Sequence, residues 1–236
     1  MKTVLIGDIH GRDIWKKIIE KESPNRVVFI GDYLDSFDIS PVEQIYNLKE
    51  ILHFKKNTDI EVITLIGNHD YHYMNVGETY SGYRPQTQIH VQDIFKENID
   101  DFKMAYSFDK YLCTHAGVSS IFMNNTFGDN WDVETIVDTL NLTFRYKPLT
   151  FKFNGWSPYG NDVTQSPIWI RPESLLYSNK KHNIKKRWIQ IFGHTEEKEL
   201  NLLSVKKNMG GRYYNIDTLN VGKYLIHEKK LKVGHV

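Results

Sequence analysis

The stretch Thr3-Val4-Leu5-Ile6-Gly7-Asp8-Ile9-His10-Gly11 runs from apolar and β-branched residues straight into a carboxylate and an imidazole. A short run rich in Val and Ile reads as a buried strand. Alternate residues of an extended segment face the same way. Asp8 and His10 therefore look toward one point while Ile9 faces the core. Gly7 and Gly11 let the backbone turn sharply and approach a ligand closely. The arrangement recurs twice: Val27-Val28-Phe29-Ile30 leads into Gly31-Asp32, and Val62-Ile63-Thr64-Leu65-Ile66 leads into Gly67-Asn68.

Helical patterns separate these runs. Ile14, Ile18 and Ile19 give one apolar face, and Val42, Ile45, Leu48, Ile51 and Leu52 give another. Ser40 followed by Pro41 and Glu43 is a helix start with proline at the first helical position. Strand–helix–strand–helix–strand is the pattern of a parallel sheet covered by helices, and ligands gather beyond the carboxyl ends of such strands. Further along, residues 71–102 lack clear periodicity, and Gly77, Gly82 and Pro85 mark turns. Strand-like runs resume at 104–108 and 111–114. Residues 133–144 look helical, 151–165 form a loop and 188–192 a strand. Hairpin-like runs follow at 202–205, 212–216 and 224–226. With no repeat or linker, residues 1–236 read as one domain.

Two further apolar runs end in His115 and in Gly193-His194. Carboxylates, imidazoles and the Asn68 amide oxygen make a mixed donor set that suits manganese, iron, zinc, cobalt or nickel better than calcium or magnesium alone. The absence of cysteine ligands argues against a structural zinc cluster. A formal charge of +1 gives no argument for nucleic acid or an anionic membrane as partner. The run Lys180-Lys181-His182-Asn183-Ile184-Lys185-Lys186-Arg187 reads as a solvated loop before a strand. Cys113 is the single cysteine, in an apolar run, so it reads as a small buried thiol. With no disulfide, no signal-peptide layout and no membrane-length apolar stretch, a cytoplasmic location is expected. His53, His72, His90, His182, His227 and His235 lack motif context and read as structural or surface residues. Tyr33, Tyr71, Tyr73, Tyr80, Tyr83, Trp156 and Tyr159 read as packing residues or as a pocket rim able to hold an aromatic group.

In order, Gly7-Asp8-Ile9-His10-Gly11, Gly31-Asp32-Tyr33-Leu34-Asp35, Gly67-Asn68-His69-Asp70, His115-Ala116-Gly117 and Gly193-His194-Thr195 resemble the motifs of calcineurin-like metallophosphoesterases. They look like the branch of bacterial and phage serine/threonine phosphoprotein phosphatases and diadenosine tetraphosphatases. Asn215-Ile216-Asp217-Thr218 resembles a further motif of that branch. The resemblance implies an α/β fold, a four-layer α/β/β/α sandwich, with two divalent or trivalent metal ions, manganese foremost. Asp8, His10 and Asp32 would hold the first ion; Asp32 would bridge to the second, completed by Asn68, His115 and His194. His69 would act as general acid, oriented by Asp35. Thr195-Glu196 stands where many relatives outside this branch carry a second histidine.

The implied reaction is attack on a phosphomonoester by hydroxide generated between two cations, with an imidazole protonating the leaving alkoxide. Phosphate oxygens usually also meet an arginine fork. The phosphatases typically continue Gly-Asp-x-x-Asp with Arg-Gly; here Ser36-Phe37 follows. Arg171, in Trp169-Ile170-Arg171-Pro172, resembles the family's other phosphate-binding arginine, and Arg84, or more weakly Arg12, could replace the missing one. The leading expectation is a phosphatase acting on phosphoserine, phosphothreonine or phosphotyrosine in proteins. A dinucleoside polyphosphate hydrolase is the alternative within the same chemistry, and a catalytically silent metal-binding interaction protein the alternative outside it.

Overall fold

The computed structural model describes residues 1–74, 77–128, 131–154, 156–157, 161–178, 184–198 and 213–236. Ten strands form two sheets: β1 (Thr3–Ile6), β2 (Arg26–Phe29), β3 (Glu61–Leu65), β4 (Phe102–Lys103), β5 (Ala105–Phe108), β6 (Tyr111–Thr114), β7 (Ile189–Phe192), β8 (Tyr213–Asn215), β9 (Lys223–His227) and β10 (Leu231–His235). The first sheet has the order β10-β9-β1-β2-β3-β4 and the second β5-β6-β7-β8. Strands β1, β2, β3 and β4 are mutually parallel, as the strand–helix alternation predicts. Strands β6, β7 and β8 are parallel too, with β5 antiparallel at the edge.

Side-chain alternation builds the layers. Leu5, Val28, Ile63 and Leu65 face inward and meet Tyr111, Cys113, Ile189 and Ile191 of the second sheet. Val4, Ile6, Val27 and Phe29 face outward and pack against Trp15 and Ile18 of α1 (Trp15–Glu22) and Leu48 and Ile51 of α2 (Pro41–Lys56). The outer face of the second sheet is covered from the other side: Asn141 of a helix at Ile136–Tyr146 bonds the backbone of Met104 and Ala105. Leu175 of another, Pro172–Ser178, packs on Phe192 and Tyr213. The result is the expected four-layer α/β/β/α sandwich.

Helix α2 starts as read, with a full capping box between Ser40 and Glu43 and Pro41 in its first turn. Its buried face differs from the apolar stripe. Val42 is exposed and Ile45 only partly buried, while Gln44 and Asn47 are buried beside Leu48, Ile51 and Leu52. The reason is polar. Gln44 Nε2 donates to the Ser36 and Ile39 carbonyls and its Oε1 accepts from Ser36 N–H, and Asn47 Oδ1 accepts from Trp15 Nε1. The helix is thus stapled to the loop carrying Asp35.

The region read as aperiodic contains a helix, Gln88–Glu97, that buries Val91, Ile94 and Phe95 at helical spacing. In the basic run, Ile184–Arg187 forms a helical turn rather than loop, and 180–183 lie outside the described residues. The hairpin-like run at 202–205 also lies outside them. Cys113 is buried, which pushes its thiol pKa up and leaves it unreactive. Among the described residues, no helix is long and apolar enough to cross a membrane.

Candidate metal centre

The carboxyl ends of β1, β2, β3, β6 and β7 bring the sequence motifs to one place. Two triads that share a residue emerge, Asp8–His10–Asp32 and Asp32–His115–His194, beside a third, Asp35–His69–His72, with the ligand-type atoms of each within 4.8 Å of one another. Asp32 belongs to the first two: its Oδ2 lies 3.8 Å from His10 Nε2 and 3.3 Å from His115 Nε2. His194 N–H donates to both Asp8 oxygens, at 3.1 and 3.0 Å, tying the ends of the chain's motif series together.

Each of the three imidazoles is oriented by a backbone carbonyl. His10 Nδ1 donates to Leu34 O (2.6 Å), His115 Nδ1 to Ile30 O (3.0 Å) and His194 Nε2 to Trp169 O (3.0 Å). A carbonyl can only accept, so the opposite ring nitrogens present lone pairs. Those of His115 and His194 converge on Asn68 Oδ1, at 2.9 and 2.7 Å. Burial, then the neighbouring His115 and Arg171, hold the His194 pKa well below its usual value, so the ring is neutral. Two ring nitrogens and an amide oxygen thus crowd one point, where a shared cation can take the place of a ring proton.

The carboxylates agree. Burial, then repulsion from Asp217 and Asp32, push the Asp8 pKa well up. Burial also opposes ionisation of Asp32, but the facing His115, His69 and His10 outweigh it and hold that pKa well down. So many buried acids call for nearby positive charge, and a bound cation reverses the penalty. The donor set thus fits a pair of divalent ions.

The backbone is strained where the donors sit. His10, Asp32, Asp35 and His194 adopt φ of 42°, 50°, 64° and 67°, each a conformation costing about 1–3 kcal/mol for a non-glycine residue. Asp70, which the sequence reading left without a role, offsets this: its carboxylate accepts from Asp32 N–H (2.8 Å), Tyr33 N–H (2.8 Å) and Gly67 N–H (3.0 Å). Gly67 and Gly193 are required by space rather than by φ. A Cβ on Gly67 would fall 2.0 Å from Asp32 Oδ1, and one on Gly193 2.0 Å from Asp8 Oδ1.

His69 stands beside the two linked triads, with Nδ1 3.0 Å from Asp35 Oδ2 and its ring 5.3 Å from that of His10. Burial disfavours its charge, but Asp32 and then Asp35 more than compensate and raise its pKa to about 9. His72, read as a structural or surface residue, is buried against the same acid, with Nε2 2.7 Å from Asp35 Oδ2. Tyr73 Oη donates to Asp35 Oδ1 (2.8 Å). Only the fold reveals these two partners, since no motif marks them.

Two clefts meet at His69. One, of about 280 Å³, is lined by His10, Arg12, Asp35, Asp38, Glu196 and Asp217 among others. The other, of about 260 Å³, is lined by Asn68, Tyr80, Phe153, Trp169 and Arg171. Arg171 donates to His194 O (2.9 Å) and Thr195 Oγ1 (3.0 Å), which fixes it at the second cleft. Arg84 lines neither. Its guanidinium donates to Ser36 O (3.1 Å) and its backbone N–H to Tyr73 Oη. Ser36 itself is buried, its Oγ accepting from the Asp38 and Ile39 N–H groups. Of the aromatic candidates, Tyr33, Tyr71 and Tyr73 are buried packing residues, Tyr80 reaches a cleft, Trp156 is exposed and Tyr159 lies outside the described residues.

The model of the calcineurin-like phosphoesterase family matches residues 1–198. The chain belongs to that family, and it is a metal-dependent phosphoester hydrolase. No curated relative matches it in sequence. The fold is similar to a protein serine/threonine phosphatase from Saccharomyces cerevisiae with similarity to human phosphatase PP5: TM-score 0.60 at 12% identity, over 100% of this chain and 80% of that one. It is also similar to a metallophosphoesterase from Sphaerobacter thermophilus: TM-score 0.53 at 12% identity, over 100% of this chain and 88% of that one.

Proposed function

We propose that this chain is a two-cation phosphomonoesterase acting on phosphorylated side chains of proteins or peptides. What supports it most is the convergence of carbonyl-anchored His115 and His194 on Asn68, with Asp32 shared between that group and Asp8–His10. Asp8, His10 and Asp32 would hold one ion and Asp32, Asn68, His115 and His194 the other, with manganese the expected metal. Bound there, the pair supplies Lewis acidity, lowering the pKa of water and offsetting charge on phosphate oxygens.

The chain's own residues supply the rest. Asp35 accepts from His69 Nδ1, which leaves Nε2 to hand a proton to the leaving oxygen. A raised pKa keeps that proton in place at neutral pH. Arg171, held by His194 O and Thr195, is assigned to the phosphate oxygens. Arg84 is not given that role, because it caps the Ser36 carbonyl instead. The strand pairing of β9 with β1 supports treating residues 1–236 as one catalytic domain.

The test is a panel of a phosphopeptide, an aryl phosphate and diadenosine tetraphosphate, given to metal-reconstituted protein of measured metal content. Inorganic phosphate should appear from the first two. Cleavage of the third alone would replace the reading with a dinucleoside polyphosphate hydrolase. Two metals per chain with no turnover on any of them would favour a silent metal-binding protein.

A further inference from the structure

The cleft of about 260 Å³ beside Asn68 and His69 has aromatic walls. Tyr80 and Trp169 meet with centroids 4.4 Å apart, and Phe153 stands edge-on to Trp169 at 5.2 Å and 87°. Trp169 backs directly onto the metal centre, since its ring lies 6.0 Å from that of His194 and its carbonyl orients the same imidazole. Tyr80 is fixed at both ends. Its Oη accepts from Phe153 N–H (3.2 Å) and bonds Glu78, and its own N–H donates to His72 Nδ1 (3.3 Å). His72 in turn abuts Asp35, the partner of His69. The walls are therefore built on the residues that hold the general acid.

The neighbouring cleft differs in kind. Asp35, Asp38, Glu196 and Asp217 line it beside Arg12 and a single phenyl ring, that of Phe37, and four carboxylates are poor neighbours for the electron-rich face of a ring. A leaving group whose ester oxygen reaches His69 must enter one cleft or the other. A ring bonded directly to that oxygen is accommodated by edge-to-face contact with Tyr80, Phe153 and Trp169, whereas the short stem of a phosphoserine leaves those walls unfilled. A nucleoside carries its base a full sugar away from the phosphate.

We propose that this aromatic slot receives the ring of an aryl phosphomonoester, phosphotyrosine in a peptide. Tyr80 and Phe153 are then specificity-determining residues. The proposal rests on the phosphomonoesterase reading above.

The experiment uses metal-loaded protein and two non-hydrolysable probes, phenylphosphonate and methylphosphonate, whose binding is independent of leaving-group reactivity. Calorimetry should show phenylphosphonate binding at least about tenfold more tightly, the scale of one good aromatic contact. Phe153→Ala and, separately, Tyr80→Leu should bring the ratio of the two dissociation constants to near one. Equal binding of both probes by the unaltered protein, or a ratio that neither variant moves, would overturn the slot. Matched phosphotyrosine and phosphoserine peptides are assayed in parallel. A retained phosphonate preference with neither peptide hydrolysed would count against the phosphomonoesterase reading alone. Hydrolysis of both peptides with no phosphonate preference would count against the slot alone.

Discussion

The two halves of the metal centre follow the same local rule but differ in their access to water. His10, with its side chain 23% exposed, opens onto the carboxylate-lined cleft. His115 is fully buried and His194 is 9% exposed, enclosed by Asn68, Trp169 and the ends of β6 and β7. Every imidazole is anchored by a carbonyl, so the ligand geometry is preorganised on both sides. On the proposed assignment, an ion in the exposed half would exchange more readily than one in the buried half. Asp32 joins the halves, and His69 sits where their clefts meet.

The sharpest way to break this division is to remove what both halves share. Asp32→Asn should lose both ions and slow phosphate release by on the order of 10³-fold or more, read by total metal analysis and turnover on the same sample. Two ions per chain in that variant would refute the bridging role. His69→Asn should instead keep both ions. It should slow alkyl phosphates by about 10²-fold or more and aryl phosphates far less, because only poor leaving groups need the proton. Equal slowing of both would remove His69 as the acid.

Chelation sharpens the comparison kinetically. Timed metal analysis after adding EDTA should pass through a species with one ion per chain, the half around His10 emptying first. Simultaneous loss of both ions would show that the halves exchange together.

A pH measurement on the metal-free protein comes next. The His69 pKa is raised above its unfolded value to about 9, so the pairing with Asp32 and Asp35 stabilises fully below about 6.5 and is lost as pH rises through 9. Asp217, raised from 3.8 to about 7, makes stability fall over the lower window that ends near pH 7. The Tm of metal-free protein should therefore fall between pH 6.5 and 9, and Asp35→Asn should flatten that slope. A Tm rising over this window would refute the assignment.

The smallest effect belongs to the scaffold. Gln44→Leu leaves the Ile39 carbonyl and the Ser36 N–H without this partner and the Ser36 carbonyl held by Arg84 alone. It should destabilise by about 1–3 kcal/mol, lowering Tm by several degrees with metal content unchanged. An unaltered Tm would show that water replaces the staple.

Adjacency along the chain and periodicity were enough to locate the strand ends of β1, β2 and β3, the start of α2 and the polar residues beyond each strand. Asp8 and His10 share a face because backbone alternation is local, and Ser40 caps a helix for equally local reasons. Partnerships across the fold left no such trace. Asp70 anchoring the amides of Asp32 and Tyr33, His72 against Asp35, and Arg84 turned onto Ser36 all join residues that no spacing rule links. Val42 stood on the apolar stripe of α2 and Gln44 stood off it. Burial runs the other way because a buried amide that satisfies three backbone groups outweighs one more apolar contact. The sequence by itself determined which carboxylates, imidazoles and amides stand at the strand ends. The packing of two sheets decided how they are oriented, which donor atoms converge, and which of the two clefts is lined by Tyr80, Phe153 and Trp169, because those depend on groups brought together only when the layers close.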